Sequence, residues 1–185
     1  MRASIISSLD TNDADMNAHF IESADFGPIA ILWQDLHADN MIEHIFLSSR
    51  GISAKSKAQQ YSSDLVYCSS RQIDAWGNKI VAALRGEQVD FSLNMLNLKK
   101  CTPFQQQVLR KTYDIPYGAV ATYKGIARSI DRECAARAVG NALGRNPFPI
   151  VIPCHRVIRS DGSLGGFTSG PAVKEALLNL ERVLG

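Results

Sequence analysis

The spacing of apolar residues changes partway along this chain, and the change limits the folds open to it. Between residues 19 and 47, short apolar runs alternate with polar or turn-forming residues, most clearly at residues 28–33 and 41–47. Such runs, separated by glycine and by polar clusters, are typical of β-strands joined by turns. We therefore predict a small antiparallel meander here, and one further short strand at residues 89–93.

Helical spacing takes over further along the chain. Residues 72–84 carry apolar side chains every three or four positions, which predicts an amphipathic helix. Thr102 is suited to cap a helix and Pro103 to begin one. Residues 171–183 show the same amphipathic spacing behind a proline. Helices are therefore expected to dominate the second half of the chain.

The two patterns together predict an α/β protein built in two parts. Residues 1–95 are expected to form a small α/β domain around the antiparallel sheet, and residues 96–185 a mostly helical domain. Within the second part, short helices at residues 122–129 and 133–143 are joined by a turn. They predict a helix-turn-helix motif over about residues 119–144.

The second helix of this motif is rich in alanine and glycine, with Arg137 standing among the small residues at positions 135–142. Small side chains let a helix backbone approach a nucleic-acid groove closely. The same composition is also expected of an alanine-rich helix packed tightly on a neighbour, and composition alone does not choose between the two.

Charge is divided unevenly between the two parts. Residues 1–97 hold 7 Lys and Arg against 12 Asp and Glu, a net charge of −5, whereas residues 98–185 hold 13 against 6, a net charge of +7. A basic half favours a polyanionic partner for that half. The overall content of 45% hydrophobic and 21% charged residues excludes an intrinsically disordered chain.

The cysteines are scattered, at Cys68, Cys101, Cys134 and Cys154, and none forms a Cys-x-x-Cys pair. Disulfide frameworks need a higher density of cysteine, and zinc sites need Cys and His in clusters. We therefore expect reduced thiols and no bound metal.

Apolar runs in this sequence fall short of the roughly 18–20 residues that span a bilayer. Residues 1–17 resemble a loose polar lead, and they lack the basic start and apolar core of a signal peptide. We expect a cytoplasmic protein with no membrane partner.

The segment that carries the chemistry is residues 149–158, which read PIVIPCHRVI. Its apolar start predicts a buried strand, and Pro153 would end that strand. Cys154 and His155 would then lie at the strand end, where side chains line pockets.

Cys154 is a candidate nucleophile because a thiolate is reactive, but the thiol needs a base to lose its proton. His155 could serve, through a water, since adjacent residues of a strand face opposite ways. Glu181 or Glu175 is a candidate for the acid that orients the imidazole. The alternative is that Cys154 is a buried structural thiol and His155 a capping residue.

Several motifs in the second half make this chain resemble the O6-alkylguanine-DNA alkyltransferases, also called methylated-DNA–protein-cysteine methyltransferases. The resemblance is strong from about residue 102 to residue 183 and faint before residue 95. The motifs that carry it are Ile152-Pro153-Cys154-His155-Arg156-Val157, Arg137-Ala138-Val139-Gly140, Gly144-Arg145-Asn146-Pro147, Ile115-Pro116-Tyr117-Gly118, Thr122-Tyr123, Gly165-Gly166-Phe167 and Leu177-Leu178 with Glu181.

The resemblance implies a direct-reversal DNA-repair transferase. A methyl or larger alkyl group would pass from O6 of guanine, or O4 of thymine, to Cys154, irreversibly and once per molecule. The implied partner is double-stranded DNA containing O6-alkylguanine, and the implied protein is a monomer that needs no cofactor. A ribonuclease H-like support fold is implied for residues 1–95, and a place at the nucleoid in a prokaryote or in the nucleus of a eukaryote.

The resemblance also implies roles for individual residues in the transfer. Cys154 would accept the alkyl group, and His155 and Glu181 would activate it through a bound water. Asn146 would tie the turn between the recognition helix and the active segment. Tyr123 would press on the 3′ phosphate of the target nucleotide and assist the departing guanine.

Contacts with DNA are implied for the alanine-rich helix. Arg137 would fill the stack left by the flipped nucleotide, while Ala136, Ala138 and Gly140 would face the minor groove. These roles suit damage that occurs in any sequence, because minor-groove contact depends little on sequence and an inserted side chain offsets the cost of extrusion.

The implied substrate pocket departs from the usual pattern of the family. The backbone of Cys154 and Val157 would read the guanine edge. Phe167 stands where the family usually has tyrosine, Thr168 could offer a hydroxyl or a backbone N–H to O6, and Ser169 replaces a glycine.

Two other functions are compatible with parts of the sequence. A cysteine hydrolase would use Cys154, His155 and Glu181 over many turnovers, but it would leave Arg137 and the helix-turn-helix without a role. A non-catalytic protein that binds alkylated DNA would not need Cys154.

The serine at position 169 predicts a preference among adducts. We expect O6-benzylguanine to react about tenfold more slowly than O6-methylguanine, because an added side chain at a pocket rim crowds a wide substituent. Single-turnover rates on matched oligonucleotides measure this preference, and faster reaction of the benzyl adduct would contradict it.

Overall fold

The computed structural model describes residues 15–36, 39–49 and 51–183. The polar lead predicted for residues 1–17 lies outside the described residues up to position 14, and its end is wrong, because Met16 and Asn17 belong to the first strand. In chain order the strands and helices are β1 (Met16–Ser23), β2 (Gly27–Leu36), β3 (Asp39–Leu47), α1 (Ala54–Tyr61), β4 (Leu65–Tyr67), α2 (Arg71–Leu84), α3 (Pro103–Tyr113), β5 (Ala121–Thr122), α4 (Tyr123–Ser129), α5 (Ala136–Gly144), β6 (Val157–Ile158) and α6 (Pro171–Leu180).

The first half is built on a four-stranded sheet in the order β3-β2-β1-β4. β1, β2 and β3 pair antiparallel with their chain neighbours, which confirms the predicted meander. β4 adds to the other side of β1 in parallel. The sequence pattern did not predict β4 or α1, because a three-residue strand and a helix of low hydrophobicity leave little periodic signal.

The strand predicted at residues 89–93 is wrong. Backbone groups there bond to side chains instead of to a neighbouring strand. The Tyr113 hydroxyl donates to the carbonyl of Phe91, and Lys79 Nζ donates to the carbonyl of Asp90 at 2.9 Å. These side chains satisfy the carbonyls, so the segment does not join the sheet, and Leu93 begins a turn of 3-10 helix.

The two short helices of the second half pack against each other, but the second begins later than expected. α5 starts at Ala136, three residues after the predicted start at position 133. The connecting turn is longer because Asp131 adopts a left-handed φ of 56° and Arg132 N donates to Ala127 O at 2.9 Å. A left-handed residue cannot continue a right-handed helix, so α5 must restart beyond it. α6 likewise ends at Leu180, short of the predicted position 183.

The buried strand predicted for the apolar run before Cys154 is also wrong. Residues 149–152 form a tight turn in which Ile152 N donates to Phe148 O at 2.9 Å. Ile150 has a φ of 73°, a left-handed conformation that costs a β-branched residue free energy. The prolines on either side, Pro149 and Pro153, lack the N–H groups that a sheet ladder needs.

The hydrophobic core runs without a break from the sheet into the helices of the second half. The edge strand β3 meets the turn before the active segment, where Ile45 N donates to Pro147 O at 2.8 Å. Glu43, also on β3, accepts from Asn97 Nδ2 at 2.7 Å and pairs with Lys100 Nζ at 2.6 Å. β3 is therefore fixed to both the connecting segment and the active turn, while the predicted division near residue 95 stays a prediction.

Within the described ranges, no helix has both the length and the apolar character needed to cross a membrane.

The continuous core predicts one cooperative unfolding transition. Phe148→Ala should lower the free energy of unfolding by about 3–5 kcal/mol, because Phe148 is fully buried. Buried Trp33 and Trp76 report on the first half by fluorescence, and circular dichroism reports on the helices. Both signals should shift together in urea.

The control is Val120→Ala at a residue that is 39% exposed, where the change should stay within about 0.5 kcal/mol. A tryptophan transition that does not move in Phe148→Ala would mean that the halves unfold independently.

Candidate active site

Cys154 begins a single turn of 3-10 helix, Cys154–Arg156, directly after Pro153. The residue is buried, with 6% of its surface exposed. The turn is closed by Arg156 N, which donates to Pro153 O at 2.9 Å. In a 3-10 turn neighbouring side chains are about 120° apart, against about 180° in a strand, so Cys154 and His155 still point into different surroundings.

Asn146 holds this turn in place through three hydrogen bonds. Its Nδ2 donates to Ile152 O at 2.9 Å and to Cys154 Sγ at 3.2 Å, and its Oδ1 accepts from Phe148 N at 3.0 Å. The side chain is buried. The amide thus spans the turn from its start to the reactive sulfur, as expected of a residue that ties this turn.

Behind the sulfur lies a buried ionic network centred on Glu181. His155 Nε2 is 2.9 Å from Glu181 Oε1, and Arg156 donates to both carboxylate oxygens at 2.9 Å. Arg156 also donates to Ile115 O at 2.7 Å. Of the two acids considered from the sequence, the structure places Glu181 at the imidazole, whereas Glu175 is exposed on α6.

The pKa values of this network follow from its geometry. Burial alone would raise the pKa of Glu181, but hydrogen bonds from His155 and Arg156 outweigh burial and lower that pKa to about 2. Burial lowers the pKa of His155, although Glu181 opposes the shift. A neutral imidazole must donate from Nε2 to the carboxylate, which leaves Nδ1 as a basic nitrogen. Nδ1 is buried and makes no hydrogen bond to any described residue.

Burial raises the pKa of the Cys154 thiol, while the hydrogen bond from Asn146 and the nearby charge of Lys174 act to lower it. A thiol in this setting is protonated at neutral pH. Its reaction as a nucleophile therefore requires a base.

A cavity of about 560 Å³ opens in front of Cys154. Of the residues singled out in the sequence, Tyr123, Ala136, Arg137, Gly140, Cys154, Phe167 and Thr168 line it. Ala138 is exposed on α5 but does not line the cavity. The remaining candidates are buried and do not line this cavity: Asn146, His155, Val157 and Glu181. Thr168 Oγ1 donates to Gly144 O at 3.0 Å, so its hydroxyl hydrogen is already engaged.

The mouth of this cavity is positively charged. Lys124, Arg137 and Arg159 line it, with no Asp or Glu among the described lining residues. Each of these side chains is exposed. The mouth is therefore suited to an anionic ligand such as a phosphate backbone.

Tyr123 packs against the glycines that close the cavity. Its hydroxyl donates to Gly166 O at 3.4 Å. A Cβ at Gly165, where φ is 71°, would lie 2.8 Å from the Tyr123 hydroxyl oxygen. Only glycine fits at position 165 without displacing the tyrosine, and sequence reasoning did not assign this residue a role of its own.

Lys174 is a second residue that sequence reasoning missed. It is fully buried on α6, and its Nζ donates to Val157 O at 2.5 Å and to Leu164 O. Burial lowers its pKa to about 8, against the effect of nearby Cys154. Through these bonds from Nζ, Lys174 ties the loop after β6 to α6 and engages the carbonyl of Val157. The sequence did contain a signal for this residue, because a charged side chain on the apolar face of an amphipathic helix is unusual.

The described part of the chain holds no group of three or more His, Cys, Asp or Glu side chains arranged to bind a metal ion.

Residues 103–183 match the DNA-binding domain of the 6-O-methylguanine DNA methyltransferase family. The match contains Cys154, His155, Asn146, Glu181 and Tyr123. A solved structure extends the likeness beyond this domain. The crystal structure of Mycobacterium tuberculosis OGT in complex with DNA superposes with a TM-score of 0.72 at 31% identity, covering 90% of this chain and 92% of that chain.

This chain belongs to the methylated-DNA–protein-cysteine methyltransferase family. Its similarity to curated family members is concentrated in part of their length. The methyltransferase of Methanothermobacter thermautotrophicus is 46% identical over 100 residues, which is 54% of this chain and 56% of that protein. That of Methanosarcina barkeri is 56% identical over 80 residues, or 43% of this chain and 51% of that protein. The match thus spans little more than half of these relatives.

The raised thiol pKa predicts the pH dependence of Cys154 alkylation by iodoacetamide. Thiolate is lost as pH falls below the thiol pKa, so the rate should still be rising above about pH 8.5, where an ordinary thiol is half ionised. Peptide mapping between about pH 6 and pH 10 gives the midpoint for Cys154. Asn146→Ala should move it higher, because the sulfur loses its donor. A midpoint below that of a free peptide thiol would contradict the assignment.

Proposed function

We propose that this family member repairs DNA by transferring an alkyl group from O6 of guanine to Cys154, once per molecule. The observation that carries the proposal is the position of Cys154 Sγ, at the wall of a cation-rimmed cavity with the His155–Glu181 pair behind it. The names of the curated relatives, methylated-DNA–protein-cysteine methyltransferases, support it.

The reaction is a displacement at a saturated carbon. Sulfur forms a bond to the alkyl carbon as the bond from that carbon to O6 breaks, and O6 keeps the electron pair. The proton lost by the Cys154 thiol is matched by one gained by the departing guanine, so the products are a thioether and ordinary guanine. No further reactant is required. A thioether is a poor leaving group, which makes the protein a single-use reagent.

The proton of the thiol would pass to His155 Nδ1 through a water molecule. The neutral imidazole supports this role, since Glu181 occupies Nε2 and leaves Nδ1 as the acceptor. Once protonated, the imidazolium lies 2.9 Å from the carboxylate, which stabilises it. Arg156 keeps that carboxylate ionised and oriented before the proton arrives.

DNA would approach along α4 and α5, acting as a helix-turn-helix. The small side chains Ala136, Ala138 and Gly140 would let α5 lie close to the minor groove, as is suited to damage in any sequence. Exposed Arg137 would enter the stack in place of the extruded nucleotide. The crystal structure of the Mycobacterium tuberculosis relative in complex with DNA supports DNA as the partner, and we propose that this DNA is double-stranded and contains O6-alkylguanine.

The extruded guanine would occupy the cavity in front of Cys154. Phe167 supplies a ring wall, and Tyr123 lies where it can assist the departing base. Burial raises the pKa of the Tyr123 hydroxyl, so it remains a proton donor at neutral pH. The Thr168 hydroxyl is engaged with Gly144, which leaves the Thr168 backbone N–H as the group to meet O6. By the same chemistry we propose that O4-alkylthymine is a second substrate. We also propose that the protein acts as a cytoplasmic monomer.

Intact mass spectrometry tests the proposal directly. Mixed with excess duplex containing O6-methylguanine, the protein should gain the mass of one CH2 unit, as a methyl replaces the thiol hydrogen. Peptide mapping should place the methyl on Cys154, and longer incubation should add no second group. His155→Gln should slow the reaction by about 100-fold or more, because the base is lost.

Two cysteine variants complete the test. Cys134→Ser changes an exposed cysteine in the turn before α5 and should react as the unchanged protein does, whereas Cys154→Ser should gain no methyl. An unmodified protein that still binds the duplex would identify a non-catalytic lesion binder. Repeated turnover on an ester would identify a cysteine hydrolase.

A further inference from the structure

Arg159 is one of the cations at the mouth of the reactive cavity, and the motifs of the sequence assign it no role of its own. The residue directly follows β6, and it lines the same cavity as Cys154. Its side chain is exposed. Arg159 therefore borders the space that an entering nucleotide would fill.

The pairing of β5 with β6 places Arg159 beside Tyr123. The two strands run parallel, and Thr122 lies opposite Ile158 at the end of the pairing. The next residues along the two strands are Tyr123 and Arg159, and both line the cavity. Burial raises the pKa of the Tyr123 hydroxyl, and the nearby charge of Arg159 acts against that shift. Strand register and electrostatics thus agree on where this cation lies.

A tight turn holds the backbone of Arg159 at the cavity mouth. Arg159 N donates to Ser163 O at 2.9 Å, and Gly162 N donates to Arg159 O at 3.1 Å. Asp161, the acid of this turn, accepts from Ser163 N at 2.9 Å and from Ser163 Oγ at 2.7 Å. The long side chain of Arg159 therefore starts from a fixed point.

Most of the hydrogen-bonding capacity of the Arg159 guanidinium is unused within the described part of the chain. Its Nη1 donates to Ser163 Oγ at 3.5 Å, which is at the limit of hydrogen-bond distance. The ion pairs of the described residues involve other cations. In contrast, Arg156 spends its donors on Glu181 and on the carbonyl of Ile115. A planar fork of five donors matches two oxygens of one phosphate.

Extrusion of the target nucleotide determines which phosphates reach this cation. When the guanine enters the cavity to face Cys154, its sugar and the two flanking phosphates stay at the mouth, because they join it to the strand. In the proposed complex Arg137 enters the stack and leaves the mouth. Of the cations that remain, Lys124 is a point charge, whereas the Arg159 guanidinium can bind a phosphate through two donors.

We propose that Arg159 binds one of the two phosphates that flank the extruded nucleotide, and that this contact stabilises the extruded state. The inference rests on the proposed function, because that phosphate reaches the mouth only while the guanine faces Cys154. Such a contact differs from general attraction, which any exposed cation offers to any phosphate. Arg159 would act on the lesion strand and not on the reacting atoms.

The experiment removes each partner of this contact in turn. Arg159→Gln removes the charge from the protein, and a methylphosphonate linkage on either side of O6-methylguanine removes it from the DNA. Fluorescence anisotropy gives the affinities in Cys154→Ser protein, so that no methyl is transferred during the titration. Arg85→Gln is the matched protein control, because it removes the same charge at the exposed end of α2. The matched DNA control carries the neutral linkage farther along the same strand.

We expect Arg159→Gln to weaken binding to the fully charged lesion duplex about tenfold, because a charge-assisted hydrogen bond is lost. The slope of log affinity against log salt should become shallower by about 0.9. With one of the flanking linkages neutral, the same substitution should cost less than about twofold, because the partner charge is already absent. The tenfold loss should persist with the distant neutral linkage. Arg85→Gln should cost less than about twofold on every duplex.

Two outcomes overturn the inference. An equal loss on every duplex would show general attraction alone, and no loss on any duplex would show that Arg159 does not contact the DNA. If circular dichroism shows that Arg159→Gln is unfolded, Arg159→Lys replaces it, with an expected loss of about threefold and the same dependence on the flanking linkage. These affinities do not depend on alkyl transfer. Failure of the proposed function appears separately, as an unmodified Cys154 in the mass-spectrometric test.

Discussion

The buried amide of Asn146 is the interaction on which the arrangement around the reactive sulfur depends. It satisfies a donor and two acceptors inside one tight turn: the N–H of Phe148, the carbonyl of Ile152 and the sulfur of Cys154. Each of these groups would be costly to bury unpaired. The left-handed Ile150 within the same turn is tolerated because these bonds, and the surrounding core, determine the path of the chain.

Two kinds of electrostatic environment meet at this turn. In front of Cys154 the cavity mouth carries exposed cations, which attract an anion over distance and lose strength with added salt. Behind it, the buried carboxylate of Glu181 is compensated by the half-buried guanidinium of Arg156. Burial lowers the pKa of His155 against the opposing effect of Glu181, so the imidazole is neutral and keeps one basic nitrogen.

The first half of the molecule is more than a separate support, since its edge strand β3 is part of the construction of the site. The backbone bond from Ile45 to Pro147 gives that edge a partner and fixes the distance between the sheet and the active turn. Glu43 fastens the same strand to the segment that enters the second half. One strand therefore sets the position of the cysteine turn relative to the sheet.

The sequence by itself determined the meander and the main helices, and it singled out the candidate reactive residues, because periodicity and short motifs are local signals. It predicted a strand before Cys154 and another at residues 89–93, and both were wrong, since prolines and distant side chains redirected the backbone bonds there. Only the tertiary structure chose Glu181 over Glu175, revealed buried Lys174 beneath the loop and brought β3 to the cysteine. Those contacts join residues far apart in the chain, and their geometry exists only once the core has packed.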